Sequence, residues 1–195
     1  RGIAMEQEKL AALRAREKEG RDPTCADETL AYMLQTAAQI GAERILEIGT
    51  GKGLTSLAFA LAFPQAHITA VERDALRAQT ARENIAAFGA EGRITLLEGE
   101  AAEILPCLEG EYDLIFLDAA KVQYRRFFPD CKRLLRRGGV LFSDDVLLFA
   151  DGVPPKRRML ARHIEEYLQM LSEDGEFSTE VLPLGAGLAV SRRIR

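Results

Sequence analysis

Arg44-Ile45-Leu46-Glu47-Ile48-Gly49-Thr50-Gly51-Lys52-Gly53-Leu54-Thr55 is the stretch that decides the fold. Ile45 to Ile48 is a short apolar run, the pattern of a parallel strand buried on both faces. Glycines at 49, 51 and 53 let the chain turn sharply and bring its backbone close to a ligand. Thr55 then opens an apolar helix that runs to Phe63. Strand, glycine loop and helix together make the nucleotide-binding corner of an open α/β sheet, where ligands sit at the carboxyl ends of the strands.

The glycine spacing narrows the ligand. A dinucleotide fingerprint needs glycine at position 54, where this chain has Leu54. A P-loop needs Gly, four residues, then Gly-Lys-Ser/Thr; here Leu46 stands in place of the first glycine and Gly53 follows Lys52. G-x-G-x-G behind the acidic strand residue Glu47 resembles instead the S-adenosylmethionine loop of class I methyltransferases, whose ligand carries no phosphate.

The chain has 195 residues, enough for one domain (1–195) with a full core. A composition that is 47% hydrophobic and 29% charged is that of a soluble globular protein. No apolar run approaches the roughly 18 residues of a membrane span, and the charged N-terminal stretch lacks a signal-peptide pattern. Cys25, Cys107 and Cys131 show no metal-binding spacing. So sparse and odd a set fits a reducing compartment, so a cytoplasmic location is expected. The net charge of -4 gives no global signal for nucleic acid, but the charge is uneven. From Lys121 to Arg162 there are eleven Lys or Arg against four Asp.

Outward from the central stretch, residues 1–20 read as a helical extension, an amphipathic helix over Met5 to Glu19 that could cover the domain, a partner subunit or a substrate. Arg21 to Cys25 breaks it, and Asp27 or Thr24 is the expected cap of a helix running to Ile40 and stopped by Gly41. His67 to Glu72 is the second strand. Glu72 ends it nineteen residues after Gly53, the place of the carboxylate that accepts hydrogen bonds from ribose hydroxyls. Asp74 to Phe88 reads as a helix, Arg93 to Glu98 as a strand, and Gly99 to Pro106 as a turn and short helix. Tyr112 to Asp118 is a strand apolar along its length. Helical segments follow from Val122 to Arg137, broken or restarted at Pro129. Gly138 to Asp145 is the fifth strand with its exit, and Lys156 to Leu171 a long helix. Phe177 to Leu184 and Gly187 to Ser191 form a terminal antiparallel hairpin around Gly185-Ala186.

Asp118 ends the fourth strand, and Asp144 and Asp145 end the fifth. In a parallel sheet these ends share the rim that carries the glycine loop. Three carboxylates meeting there repel one another unless a cation sits between them. Hard oxygen ligands suit Mg²⁺, with Mn²⁺ or Ca²⁺ as alternatives. Lys121, three residues past Asp118, faces the same rim and could act as a general base if the cation depresses its pKa.

Five segments carry a more specific resemblance: Glu47-Ile48-Gly49-Thr50-Gly51, Val71-Glu72, Gly99-Glu100-Ala101, Phe116-Leu117-Asp118-Ala119-Ala120-Lys121 and Ser143-Asp144-Asp145-Val146-Leu147. Together they resemble the cation-dependent O-methyltransferases, which include catechol and caffeoyl-CoA O-methyltransferases. Asp118 to Phe128 most resembles the bacterial branch that methylates 5-hydroxyuridine at the tRNA wobble position. The resemblance implies a Rossmann-like α/β fold. Its seven-stranded sheet is mostly parallel, with helices on both faces and a C-terminal antiparallel hairpin. It also implies a homodimer. Carried over by position, Glu47 and the Gly49-Thr50-Gly51 backbone hold the methionine part of the cofactor, with Thr55 replacing a family serine. Glu72 binds the ribose, Glu100 and Ala101 flank the adenine, and Asp118 borders the cofactor. The resemblance makes Asp118, Asp144 and Asp145 the metal ligands, and Lys121 with Asp118 the catalytic pair. The chain departs from the family at Asp145, where Asn is usual, at Ala186, where Asp is common, and at Leu54, where an aromatic is usual.

Three functions stay open on this reading. The first is methylation of tRNA, drawn by the bases between Arg125 and Arg162. The second is methylation of a small catechol-like or other vicinal-hydroxyl acceptor. The third is a protein that keeps the cofactor without catalysis.

Overall fold

A computed structural model describes residues 2–18 and 24–195. The expected break over 21–25 lies mostly in residues 19–23, outside that range. The chain runs α1 (Gly2–Lys18), α2 (Asp27–Ile40), β1 (Arg44–Ile48), α3 (Leu54–Ala62), β2 (His67–Glu72), α4 (Ala75–Ala87), β3 (Ile94–Glu98), α5 (Ala101–Ile104), β4 (Tyr112–Leu117), α6 (Tyr124–Leu134), β5 (Leu135–Asp144), α7 (Arg158–Glu173), β6 (Phe177–Leu182) and β7 (Leu188–Arg193). The strands form one seven-stranded sheet in the order β3-β2-β1-β4-β5-β7-β6. Strands β1 to β5 are parallel, and β7 pairs antiparallel with both β5 and β6. Order reverses on either side of β1, between β2 and β4, which is where a crevice opens at the carboxyl ends.

Side-chain alternation divides the core between the two faces of the sheet. Ile45 of β1, Leu114 and Phe116 of β4 and Phe142 of β5 pack with Met33, Leu57 and Phe59 from α2 and α3. Leu46, Ile48, Ile115, Leu117 and Leu141 point the other way, onto Tyr124, Phe127, Ile164 and Tyr167 of α6 and α7. A strand that must be apolar at both parities is the pattern of a sheet covered on both sides.

Boundaries differ from the sequence reading in three places. Pro129 does not interrupt α6. Tyr124, Phe127, Phe128, Cys131 and Leu134 form one buried stripe along it. Burying each large apolar side chain is worth about 1.5–3 kcal/mol, more in sum than the about 3 kcal/mol that an internal proline costs. The helix then ends at Leu134, and β5 takes residues 135–137 that had been read as helical. At α2 neither Thr24 nor Asp27 caps; the N-cap is Ala26, with no side-chain bond. Asp27 instead pairs with Lys18 and Arg14, which draw its carboxylate toward α1. Asp74 caps α4, accepting a hydrogen bond from the Arg77 amide at 2.9 Å.

The tightest backbone approach joins β1 to β4. Gly49 has φ +90°, and its N–H donates to the Val71 carbonyl at 2.9 Å. A Cβ at Gly49 would overlap the Asp118 carbonyl, lying 2.8 Å from its carbon. Gly49→Ala should therefore combine positive-φ strain with a backbone clash and destabilise the chain by at least about 2 kcal/mol. Urea denaturation checks this; an unchanged midpoint would contradict the close approach.

Candidate active site

Along the carboxyl rim of β1, β2, β4 and β5 lies a cavity of about 530 Å³, within the range of small-molecule sites. Every site residue expected from the sequence lines it: Glu47, Gly49, Thr50, Gly51, Thr55, Glu72, Glu100, Ala101, Asp118, Lys121, Asp144 and Asp145.

The cofactor half is built around two buried carboxylates. Glu47 is the penultimate residue of β1, 2% exposed. Its Oε1 accepts hydrogen bonds from the hydroxyls of Thr50 and of Ser56, the latter at 2.7 Å. Burial pushes the Glu47 carboxyl up to about 7 despite those two donors. Glu72 ends β2, 5% exposed. Its Oε1 accepts from the Gly51 N–H at 2.8 Å, and its Oε2 from the Asp74 N–H at 2.8 Å. Glu72 thus sets the shape of the glycine loop, and each oxygen keeps a lone pair for a ligand hydroxyl.

The acidic half is more crowded. One carboxylate oxygen each from Asp118, Asp144 and Asp145 lies within 4.8 Å of the others. Asp145 has φ +61°, a left-handed conformation that Asn and Asp tolerate best among residues with a Cβ. Its N–H donates to Asp144 Oδ1 at 2.9 Å. Burial, with Asp118 and Asp145 adjacent, pushes Asp144 up to about 8. Burial also raises Asp118, against the pull of Lys121. An all-oxygen donor set of three carboxylates converging within 4.8 Å fits a hard divalent cation.

Lys121 answers this charge from within. Its Nζ lies 3.1 Å from Asp118 Oδ1, 3.0 Å from Asp145 Oδ2 and 3.0 Å from the Ala119 carbonyl. Burial works to lower its pKa, but the two carboxylates together outweigh it and hold it above the ordinary lysine value. The depression expected of a base was tied to a bound cation; the chain's own contacts, Asp118 first and Asp145 second, act in the other direction.

Several residues escaped the sequence reading. Ser56 binds Glu47, whereas Thr55 turns its hydroxyl to Cys25 Sγ at 3.4 Å. Tyr124 places its buried hydroxyl 3.1 Å from the carbonyls of both Leu117 and Asp144, tying the ends of β4 and β5. Gly185 and Ala186 reach the cavity because the chain after β5 pairs with their turn, Leu147 N–H donating to the Ala186 carbonyl at 2.8 Å. None of these belongs to a short motif. They meet only once the sheet is formed, although the first-turn position of Ser56 on α3 was a usable signal.

The basic excess divides. Arg136 pairs with Asp113 at the start of β4, on the rim opposite the cavity, at 2.6 Å. Lys132 pairs with Asp174 and Glu176, and Arg133 with Asp130 and the Leu105 and Leu108 carbonyls. Arg125 and Arg162 share Glu166. Lys156, Arg157 and Arg158 are exposed where the loop from the cavity rim enters α7.

A family model described as O-methyltransferase matches residues 7–194. The chain is 29% identical over 168 residues to a caffeoyl-CoA O-methyltransferase of Populus kitakamiensis, covering 80% of this chain and 72% of that one. It is 35% identical over 118 residues to a catechol O-methyltransferase of Mycobacterium tuberculosis, covering 60% of this chain and 54% of that one. A Staphylococcus aureus crystal structure, provisionally a caffeoyl-CoA O-methyltransferase, superposes with TM-score 0.89 at 28% identity over 98% of this chain and 96% of its own. An S-adenosylhomocysteine-bound methyltransferase of Podospora anserina superposes with TM-score 0.81 at 25% identity, over 98% and 87% of the two chains.

The raised pKa of Glu47 has a stability consequence. Between the ordinary value of 4.5 and about 7 the folded state holds a proton that the unfolded state has lost. Stability from this group is therefore complete below about 4.5 and declines as pH rises toward 7. Glu47→Gln keeps an oxygen for Thr50 and Ser56 without the buried charge. It should match wild type at pH 4.5 and be more stable at pH 8, by up to about 3 kcal/mol. Urea melts of both proteins at the two pH values check this; a difference independent of pH would contradict it.

Proposed function

The chain belongs to the O-methyltransferase family, and from that premise we propose that it transfers a methyl group from S-adenosylmethionine to a hydroxyl with the help of a divalent cation, and that its acceptor is 5-hydroxyuridine at the wobble position of tRNA. The observation that carries the chemistry is the shared rim: the glycine loop and the three-aspartate cluster line one cavity. Methyl transfer needs the activated methyl and the acceptor oxygen in line and within contact.

Glu47 would take the ammonium of the methionine part, exchanging a buried proton for a bound cation. Glu72 would accept the ribose hydroxyls while it holds the loop, and Glu100 and Ala101 would flank the adenine. Asp118, Asp144 and Asp145 would hold the metal, Mg²⁺ or else Mn²⁺ or Ca²⁺. When bound, that ion supplies Lewis-acid chemistry that lowers the acceptor's pKa. Lys121, in its present contacts, is a fixed positive charge suited to steadying the developing oxyanion. For Lys121 to take the acceptor's proton its ammonium must first give up a proton, which its contacts with Asp118 and Asp145 oppose.

Support for the tRNA acceptor comes from the Asp118 to Phe128 resemblance and from Lys156, Arg157 and Arg158, exposed where the loop that leaves the rim after Asp145 enters α7. An exposed basic cluster next to an active cavity attracts phosphates even when net charge is negative. A second reading, a small catechol-like or other vicinal-hydroxyl acceptor, is favoured by the relatives named for catechol and caffeoyl-CoA. A homodimer and a cytoplasmic location belong to the same proposal; the three free cysteines fit the latter. No described helix is long and apolar enough to cross a membrane.

Chelation to a verified metal-free state should abolish transfer, and Asp145→Asn should retain it. Full turnover without metal would remove the cation from the mechanism. Replacing Arg157 and Arg158 by Glu should weaken tRNA binding about tenfold or more at low salt and leave cofactor affinity unchanged. The deciding assay compares hydroxylated tRNA with simple catechols at equal concentration. Efficient catechol turnover with no incorporation into hydroxylated tRNA would establish the second reading instead.

A further inference from the structure

Arg14 is a charged side chain in a place where charge is costly. It lies on the fourth turn of α1 and is 4% exposed. Taking a guanidinium out of water is unfavourable unless its N–H groups find partners. Its partners all lie in one short segment. Nη1 donates to Thr24 Oγ1 at 2.9 Å, and Nη2 donates to the Cys25 carbonyl at 2.8 Å and to Asp27 Oδ1 at 3.2 Å.

That segment is a wall of the cofactor cavity. Thr24, Cys25 and Ala26 line it. No strand pairing holds them; they precede α2, whose N-cap at Ala26 has no side-chain bond. Four other contacts hold the wall and the helix behind it, the first being Lys18 of α1 paired with Asp27. Cys25 Sγ meets Thr55 Oγ1 at 3.4 Å. Glu28 accepts from the Gly185 N–H at 2.6 Å, tying the start of α2 to the turn that borders the cavity. Glu17, one turn past Arg14 on the same helix, pairs with Lys52 in the glycine loop and lines the cavity itself. Helix α1 thus contacts both the Thr24–Asp27 segment and the glycine loop, while Leu10 anchors it in the core.

We propose that Arg14 is a positioning residue for the cofactor: its guanidinium fork latches Thr24–Ala26 against the cavity, so that α1 closes the front of the site and slows ligand escape. This rests on the reading of the cavity as the S-adenosylmethionine site. A fork is needed because two groups at different angles, a hydroxyl and a carbonyl, are held at once; a lysine offers the charge without that geometry.

The three cysteines make the latch measurable. Cys25 is 6% exposed in the wall, Cys131 is fully buried in the opposite core layer, and Cys107 is exposed. Alkylation by iodoacetamide, followed residue by residue by mass spectrometry, separates local opening at Cys25 from global unfolding at Cys131, with Cys107 as the internal standard. The same proteins are titrated calorimetrically with S-adenosylhomocysteine. Arg14→Met should weaken binding about tenfold, the scale of one charge-assisted hydrogen bond. It should also speed Cys25 labelling at least about tenfold while Cys131 stays protected. Bound S-adenosylhomocysteine should slow Cys25 labelling in wild type.

Should Arg14→Met expose Cys131 as well, Arg14→Lys decides. Faster Cys25 labelling with Cys131 still protected supports the latch, and wild-type rates at Cys25 overturn it. Unchanged affinity together with unchanged Cys25 labelling in Arg14→Met also overturns it. A wild-type chain that binds no S-adenosylhomocysteine overturns the cofactor reading instead, and Cys25 labelling without ligand then still decides whether Arg14 holds the wall.

Discussion

The contact between Gly49 and the Asp118 carbonyl organises the site. It has room for a hydrogen and for no carbon. Through it the loop that follows β1 lies directly against the end of β4. Gly49 and Thr50 are pinned on the other side by the Val71 carbonyl at the end of β2. Three adjacent parallel strands therefore finish within reach of one ligand. A side chain at position 49 would separate the cofactor wall from the carboxylate cluster, and each half alone would be an ordinary polar crevice.

What accumulates at that rim is negative charge under partial burial. Glu47 and Asp144 are pushed up to about 7 and about 8, and Asp118 is raised with them. Burial and mutual repulsion make these carboxylates costlier to ionise in the folded chain than in water, a cost that cationic ligands relieve. Lys121 relieves part of it from within by bridging Asp118 and Asp145. The extra carboxylate at position 145 strengthens that internal bridge, so the chain's departure from the usual Asn bears directly on how firmly Lys121 is held. Sites arranged this way trade stability for binding.

The sheet was legible because its strands are short, apolar at both parities and punctuated by glycine. The acidic ends of β1, β2, β4 and β5 were legible because residue order within a parallel sheet places them on one rim. The misreadings are those that tertiary contacts decide. Pro129 sits inside α6 because a buried aromatic stripe outweighs its local cost. Asp27 leaves its capping position because Arg14 and Lys18 compete for it. The run of bases after Lys121 looked like one surface along the chain, yet folding sends Arg136 to the far rim and gives Arg125, Lys132 and Arg133 acidic partners. Arg14 left no local signal: its partners lie ten to thirteen residues away, across a junction that no helical or strand period describes.

The central claim is that one rim holds both the cofactor and the cation. It is tested most directly by crystallising the protein with S-adenosylhomocysteine and Mn²⁺ and recording anomalous diffraction at the manganese edge. The account predicts one anomalous peak bounded by Asp118, Asp144 and Asp145, with the ribose hydroxyls of the ligand on Glu72 and its ammonium on Glu47. A cofactor-bound crystal with no anomalous peak at the three aspartates, or with its only peak elsewhere, would contradict it.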